Sequence, residues 1–326
     1  MARPTNLTAK TKPVKKAPAR RKASSSSANA KRGESGSWPT PPPRLRRLNL
    51  ESWEVAKDAG KQMDAPAPIR RGFFRVDADG YEPLPPGERT PLSAMVVGGQ
   101  GGEVRLKLFL TLLWLAARPP HQVKDKTAGA YAHLFGLPEP ETNGAKRVAA
   151  AIDWLVDNEF VTADRKNGRP AVLTLRHERT KAPYTRPTKP GNDDKVAPAD
   201  VWVSIPSEVW SQGWMAVLSG RALTTLAILL DESLGRPEVK GEERTGRSGV
   251  PYLHITKSGW VWIAESVLDS RYRISYDLWG KGLKELHAHG LIDRRFDTKV
   301  RFGPKYRARR VTILWDKLRE GPEKPA

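Results

Sequence analysis

Six histidines and a few paired carboxylates are the side chains of this 326-residue sequence whose types suit catalysis or metal binding. His287 and His289 lie two apart on a predicted helix, so they point to nearly opposite faces and cannot share an ion. His121, His133, His177 and His254 are isolated in sequence, no HExxH occurs, and no cysteine is present to complete a zinc set. The lack of cysteine also excludes disulfides and thiol nucleophiles, and it fits a reducing cytoplasm. Asp193-Asp194 and Glu242-Glu243 fall in polar, loop-like runs, whereas two-metal chemistry wants acids converging from strand or helix ends. No GxSxG is present. The glycine run Gly98 to Gly102 lacks the Lys-Ser/Thr ending of a phosphate loop and reads as a hinge. The expectation is a chain with no catalytic residues, no metal and no cofactor.

Charge is the stronger signal. There are 56 Lys and Arg against 36 Asp and Glu, a formal +20 at pH 7. Such a balance suits nucleic acid, because each neutralised phosphate releases counterions. A membrane is disfavoured, since no apolar run reaches the ~18 residues of a spanning helix. The longest, Leu106 to Ala117, is interrupted by Lys107 and Thr111. No apolar stretch follows the basic N-terminus, so no signal peptide is expected. Double-stranded DNA is the expected partner and the cytoplasm, at the nucleoid, the expected location. The same surfaces leave room for a homodimer or a protein partner.

Two hairpins and two helices must position the cations. From Arg294 to Arg310 the sequence holds Arg294, Arg295, Lys299, Arg301, Lys305, Arg307, Arg309 and Arg310 against Asp297 alone. A turn at Gly303-Pro304 divides them. Earlier, Lys166 and Arg169 flank Asn167-Gly168, a strong hairpin-turn signal. Recognition helices face base edges with their N-terminal turns. That role falls to Asn143, Lys146, Arg147 and Ala150 in one helix, and to Tyr276, Asp277, Lys281 and Lys284 in the other.

Periodicity and punctuation supply the elements. Residues 1–50 form a disordered basic tail, with six Lys and seven Arg against one Glu. Residues 51–102 read as an irregular Pro/Gly-rich segment, with one short helix from Glu51 to Met63. A first winged-helix domain spans 103–176. It comprises a helix from Val104 to Ala117, a Thr127-capped helix from Ala128 to Phe135, and a helix from Gly144 to Asn158 capped by Thr142 or Asn143. Strands Phe160 to Arg165 and Ala171 to Leu175 complete it. The polar, Pro-rich run 177–199 is a linker. A second winged-helix domain spans 200–316. It contains a core helix from Gly220 to Leu234, a charged loop from Arg236 to Gly249, and a helix from Ser258 to Ser270. A Ser275-capped helix ending at Gly290 leads into its basic hairpin. Residues 317–326 are a C-terminal tail.

The two units repeat at a fixed offset. Val148, Ile152, Leu155, Phe160 and Val161 match Trp279, Leu283, Leu286, Leu291 and Ile292, each pair 131 positions apart. The stretches VRLKLFLTLLWLAARPP, AHLFGLPEPETNGAKRVAAAIDWL and SEVWSQGWMAVLSGRALTTLAILLDE resemble poorly characterised actinobacterial proteins that carry two winged helices. The resemblance covers residues 95 to 315. More loosely, the layout is similar to plasmid replication initiators with tandem winged helices. The fold class expected is α+β, two tandem winged helix-turn-helix domains behind a disordered basic tail. The function expected is sequence-preferring DNA binding in transcription regulation. A plasmid or phage replication initiator and a protein-interaction scaffold are the alternatives.

Overall fold

The structure is a computed structural model and describes residues 45–78, 81–97, 101–187, 202–234, 243–245, 251–255, 260–301 and 307–324. The N-terminal tail up to residue 44, the linker from 188, most of the Arg236–Gly249 loop, Ser258 and the Gly303-Pro304 turn lie outside them. The described residues form an α+β fold in which every strand pairing is antiparallel.

The Pro/Gly-rich segment 51–102 holds its foreseen helix and, after it, only short regular elements of four to six residues. Asn49 accepts a hydrogen bond from the Ser52 N–H and opens α1 (Leu50–Gln62), which ends close to where the sequence pattern stops. β1 (Ala67–Arg70), α2 (Arg71–Phe74) and α3 (Pro91–Val96) follow. Pro91 does not break α3, because it stands in the first turn, where its missing N–H would be unpaired anyway. Thr90 caps that helix by accepting from the Ser93 N–H. Structure also begins before residue 51, since Leu48 is buried.

The first repeat runs α4 (Gly102–Leu115), β2 (Gln122–Val123), α5 (Ala128–Leu134), α6 (Ala145–Asp157), β3 (Val161–Asp164) and β4 (Val172–Leu175). Thr127 caps α5 as expected. Neither Thr142 nor Asn143 caps α6. A π-helical turn, Pro140–Gly144, carries the chain into the helix, and the Asn143 amide donates to the Glu139 carboxylate instead. β2 was not foreseen, and the sheet order is β2-β4-β3. Gly168, at φ +75°, supplies the left-handed residue that the hairpin turn needs. Past β4, residues 177–187 are packed rather than linker-like: Glu178 and Tyr184 are buried.

The second part runs β5 (Trp202–Ile205), α7 (Glu208–Ser211), α8 (Trp214–Val217), α9 (Gly220–Leu234), β6 (Glu243–Thr245), β7 (Pro251–Ile255) and β8 (Val261–Ile263). α10 (Glu265–Tyr272), α11 (Tyr276–Ala288), β9 (Ile292–Arg301), β10 (Arg307–Ile313) and α12 (Trp315–Glu320) complete it. The helix expected from Ser258 begins only at Glu265, because Val261 to Ile263 pair as a strand. The C-terminal tail contributes α12, whose Leu318 is buried and whose Leu318 carbonyl accepts from Trp214 Nε1 at 2.8 Å. The sheet order is β6-β7-β8-β10-β9.

The 131-residue offset is a structural repeat. α6 spans 145–157 and α11 spans 276–288, and β3 and β9 begin at Val161 and Ile292. Both helices end with the same hydrogen bonds: Phe160 N–H donates to the Leu155 carbonyl at 2.8 Å, and Leu291 N–H to that of Leu286 at 2.9 Å. β8-β10-β9 repeats the order β2-β4-β3.

One apolar cluster includes residues of both repeats. At its centre Trp114 stacks on Trp210 with ring centroids 4.8 Å apart, and Trp210 Nε1 donates to Thr111 Oγ1 at 3.0 Å. β1 pairs with β5, from Ala67 opposite Ile205 to Arg70 opposite Trp202. Buried ion pairs reinforce these contacts. Arg70 meets Glu178 at 2.9 Å, and both Arg71 and Arg75 reach Asp231 on α9.

Candidate nucleic-acid interface

Each repeat turns one side of its last helix into the core and the other to solvent. α6 buries Val148, Ala151 and Leu155, leaving Lys146, Arg147, Ala149, Ala150 and Asp153 exposed. α11 buries the equivalent Trp279, Gly282 and Leu286 and exposes Tyr276, Asp277 and Lys281. Tyr276 keeps 44% of its surface in solvent, high for a large aromatic residue. Lys284 is half-buried.

Lys146 and Arg147 have no ion-pair or hydrogen-bond partner for their side chains among the described residues. Lys281 is differently placed, with its Nζ 2.8 Å from Asp277 Oδ2 one helical turn earlier. That pair was legible in the sequence, as an acid four residues before a lysine on a helix face. Asn143 is exposed, although its amide is held by Glu139.

The first hairpin partly neutralises itself. Arg165 pairs with Asp153 of α6, and Lys166 lies 3.6 Å from Asp164. Arg169 is exposed across the turn. Arg165 was missed by the sequence reading, whose attention fell on the turn residues alone.

In the second hairpin, Arg295 stands directly opposite Arg310, and Arg294 opposite Val311. Arg294 and Arg310 are half-buried, while Arg295 is exposed. The Arg295 guanidinium lies 4.7 Å from the Trp260 ring centroid, and its Nε is 3.4 Å from Asp293 Oδ2. Trp260 was also missed. Its signal was its place just before β8, the strand that pairs with β10. Lys299 and Arg301 are on β9, Arg307 and Arg309 on β10, and Lys305 lies outside the described residues. Burial and the nearby Arg294 charge push the His287 imidazole below its ordinary value, against a smaller opposing effect of Asp293.

Among the described side chains the histidines do not converge. His133 sits between two carboxylates, 2.9 Å from Glu141 and 3.4 Å from Glu51. Among the described residues no group of three or more His, Asp and Glu could hold a metal ion. No helix among them is long and apolar enough to cross a membrane.

Comparison with protein-family models, with curated proteins and with solved structures gives no match.

Proposed function

We propose that the chain is a non-enzymatic, sequence-preferring protein that binds double-stranded DNA through two winged helices, acting as a transcription regulator. The observation that carries this reading is the structural repeat and the cations it presents. Each copy runs helix, strand, helix, helix, strand, strand, with two further strands, β6 and β7, ahead of β8 in the second, and the final strand of each copy lies between two others, in the orders β2-β4-β3 and β8-β10-β9. This order supports the winged helix-turn-helix reading, in which a third helix enters a groove and a hairpin lies along the backbone.

Division between affinity and specificity follows from chemistry. Phosphate contacts fix register and supply most affinity, while base-edge contacts supply preference. The hairpins and the basic tail, with six Lys and five Arg against one Glu in residues 1–44, would serve the first task. The third helices would serve the second. Fusion of the repeats into one core also supports the replication-initiator reading, because a fixed pair of modules suits repeated sites.

Selection of bound duplexes from random DNA tests the proposal. A regulator should enrich one short site or palindrome, and an initiator should enrich direct repeats. Failure to retain any duplex above background even at about 50 mM salt, where phosphate binding is far stronger than at about 200 mM, would leave protein docking as the better reading.

A further inference from the structure

The outward side of α11 carries a cost that packing does not explain. Glycine inside a helix is disfavoured relative to alanine, because it gives up more backbone freedom on folding. At Gly282 the core demands it, since a Cβ there would run into Thr225 and Arg221 of α9. Gly280 has no such reason. A Cβ added to it would meet nothing within 4 Å among the described residues. The equivalent position of the first repeat, 131 residues earlier, is the exposed Ala149. A missing methyl group at Gly280 therefore favours only a body that comes up close to the helix backbone from solvent.

One turn earlier, Tyr276 lies on the same side of the helix. Among the described side chains it is the one exposed aromatic ring, and its equivalent on α6 is Ala145. Beside these two residues Asp277 and Lys281 hold each other at 2.8 Å, so their charges largely cancel. The face thus offers a ring and bare backbone, which suit an apolar group at short range. Strands β9 and β10, which follow α11, hold seven Lys and Arg against two Asp, which suits a polyanion. Duplex DNA combines the two, with phosphates along its backbone and the 5-methyl group of thymine projecting into its major groove.

From this we infer that Gly280 and Tyr276 determine specificity by recognising a thymine: the bare backbone at Gly280 lets α11 sit deep in the major groove, and the Tyr276 ring then packs on the thymine methyl group. The inference rests on the proposed DNA binding and names one base contact within it.

The test is a titration of the full-length chain on a duplex selected from random DNA, and on copies in which each thymine is replaced in turn by uracil, which lacks only the methyl group. Circular dichroism checks the fold of each variant. For the wild type, one replacement should weaken binding by about fourfold, the effect of exposing one buried methyl group. Tyr276→Ala should bind the original duplex about fourfold weaker or more, and should no longer respond to that replacement. Gly280→Ala should raise the urea midpoint, because it gains helix propensity and meets no neighbour. The same variant should bind the selected duplex about fivefold weaker or more, because the added methyl group overfills the contact. Gly280→Leu should weaken binding further. A selected site in which no thymine methyl matters, a Tyr276 variant that still responds to the replacement, or a Gly280→Ala variant that binds as well as the wild type would overturn the inference. So would a fall in the stability of Gly280→Ala, which would show the position to be packed. A wild-type chain that retained no duplex would instead reject the DNA-binding reading itself.

Discussion

Glu159 and Gly290 hold the same left-handed backbone position in the two repeats, 131 residues apart, at φ +56° and φ +70°. Each is the point where a helix turns into the first strand of its hairpin. A left-handed conformation costs an L-residue about 1–2 kcal/mol, which glycine escapes. Nothing lies within 4 Å of a Cβ added at Gly290, so the penalty there is one of backbone alone. Gly290→Ala should lower stability by about 1 kcal/mol, and Glu159→Gly should raise it by up to about 1 kcal/mol. The Glu159–Arg176 pair lost in the second variant, at 3.5 Å on the surface, contributes little. Urea unfolding of both variants checks the opposite signs.

A second glycine is fixed by packing. A Cβ at Gly282 would collide with Thr225 Oγ1 and stand 2.6 Å from the Arg221 carbonyl oxygen, both on α9. Gly282→Ala should cost about 1–3 kcal/mol by forcing α11 off α9. Its counterpart, Ala151 of α6, already carries the methyl group. Ala151→Gly should cost about 1 kcal/mol from helix propensity, with some further loss of packing. Thermal melts should rank the two variants in that order.

Acid should loosen the start of α4. Burial alone would raise the Glu103 carboxyl, but Lys107 at 3.0 Å and the paired Arg46 more than reverse this and hold it at about 2. Lys107, lowered to about 8 chiefly by burial, stays protonated across the acid range. A carboxyl lowered on folding stabilises fully above its unfolded value and loses that contribution as pH falls toward the folded one. The stability from Glu103, on the order of 3 kcal/mol, should therefore fade between about pH 4.5 and pH 2. Glu103→Gln should remove that part of the pH dependence in a series of urea melts.

The ion cluster on α9 should be intolerant of single removals. Asp231 accepts from Arg75 and from the Tyr272 hydroxyl at 2.8 Å, with Arg71 3.2 Å away. Arg75 and Arg271 also face Glu232; burial raises that carboxyl, and these charges draw it below its ordinary range. Asp231→Ala would leave two buried guanidiniums short of a partner, at a cost of about 3–5 kcal/mol. Arg75→Met combined with Asp231→Leu should lose less than the sum of the two single changes. A double-mutant cycle in urea measures the difference.

Cutting the chain between residues 188 and 200 should not separate its halves. The β1–β5 pairing, the Trp114–Trp210 stack and the Arg75–Asp231 pair all hold together residues on opposite sides of the cut. A protease site inserted there should give two fragments that co-elute in gel filtration and unfold in one transition. Separate elution would show that the shared core is too weak to bind them.

Local order was largely written in the sequence. The apolar spacing of α6 and α11, the caps Thr127 and Ser275, the Asn-Gly turn before β4 and the 131-residue repeat all follow from interactions within a few residues, which local residue types express directly. The prolines of residues 51–102 leave only short elements after α1, as their number suggested, but where one can form depends on where a proline falls, and Pro91 falls in a first turn. The tertiary structure alone decided which distant groups meet. Asp231 recruits arginines more than 150 residues away, β1 finds β5, and Arg165 is taken by Asp153 while Lys146 and Arg147 are left to solvent. Such choices depend on which surfaces the core brings within a few ångströms, because hydrogen bonds and contact ion pairs form only at that range.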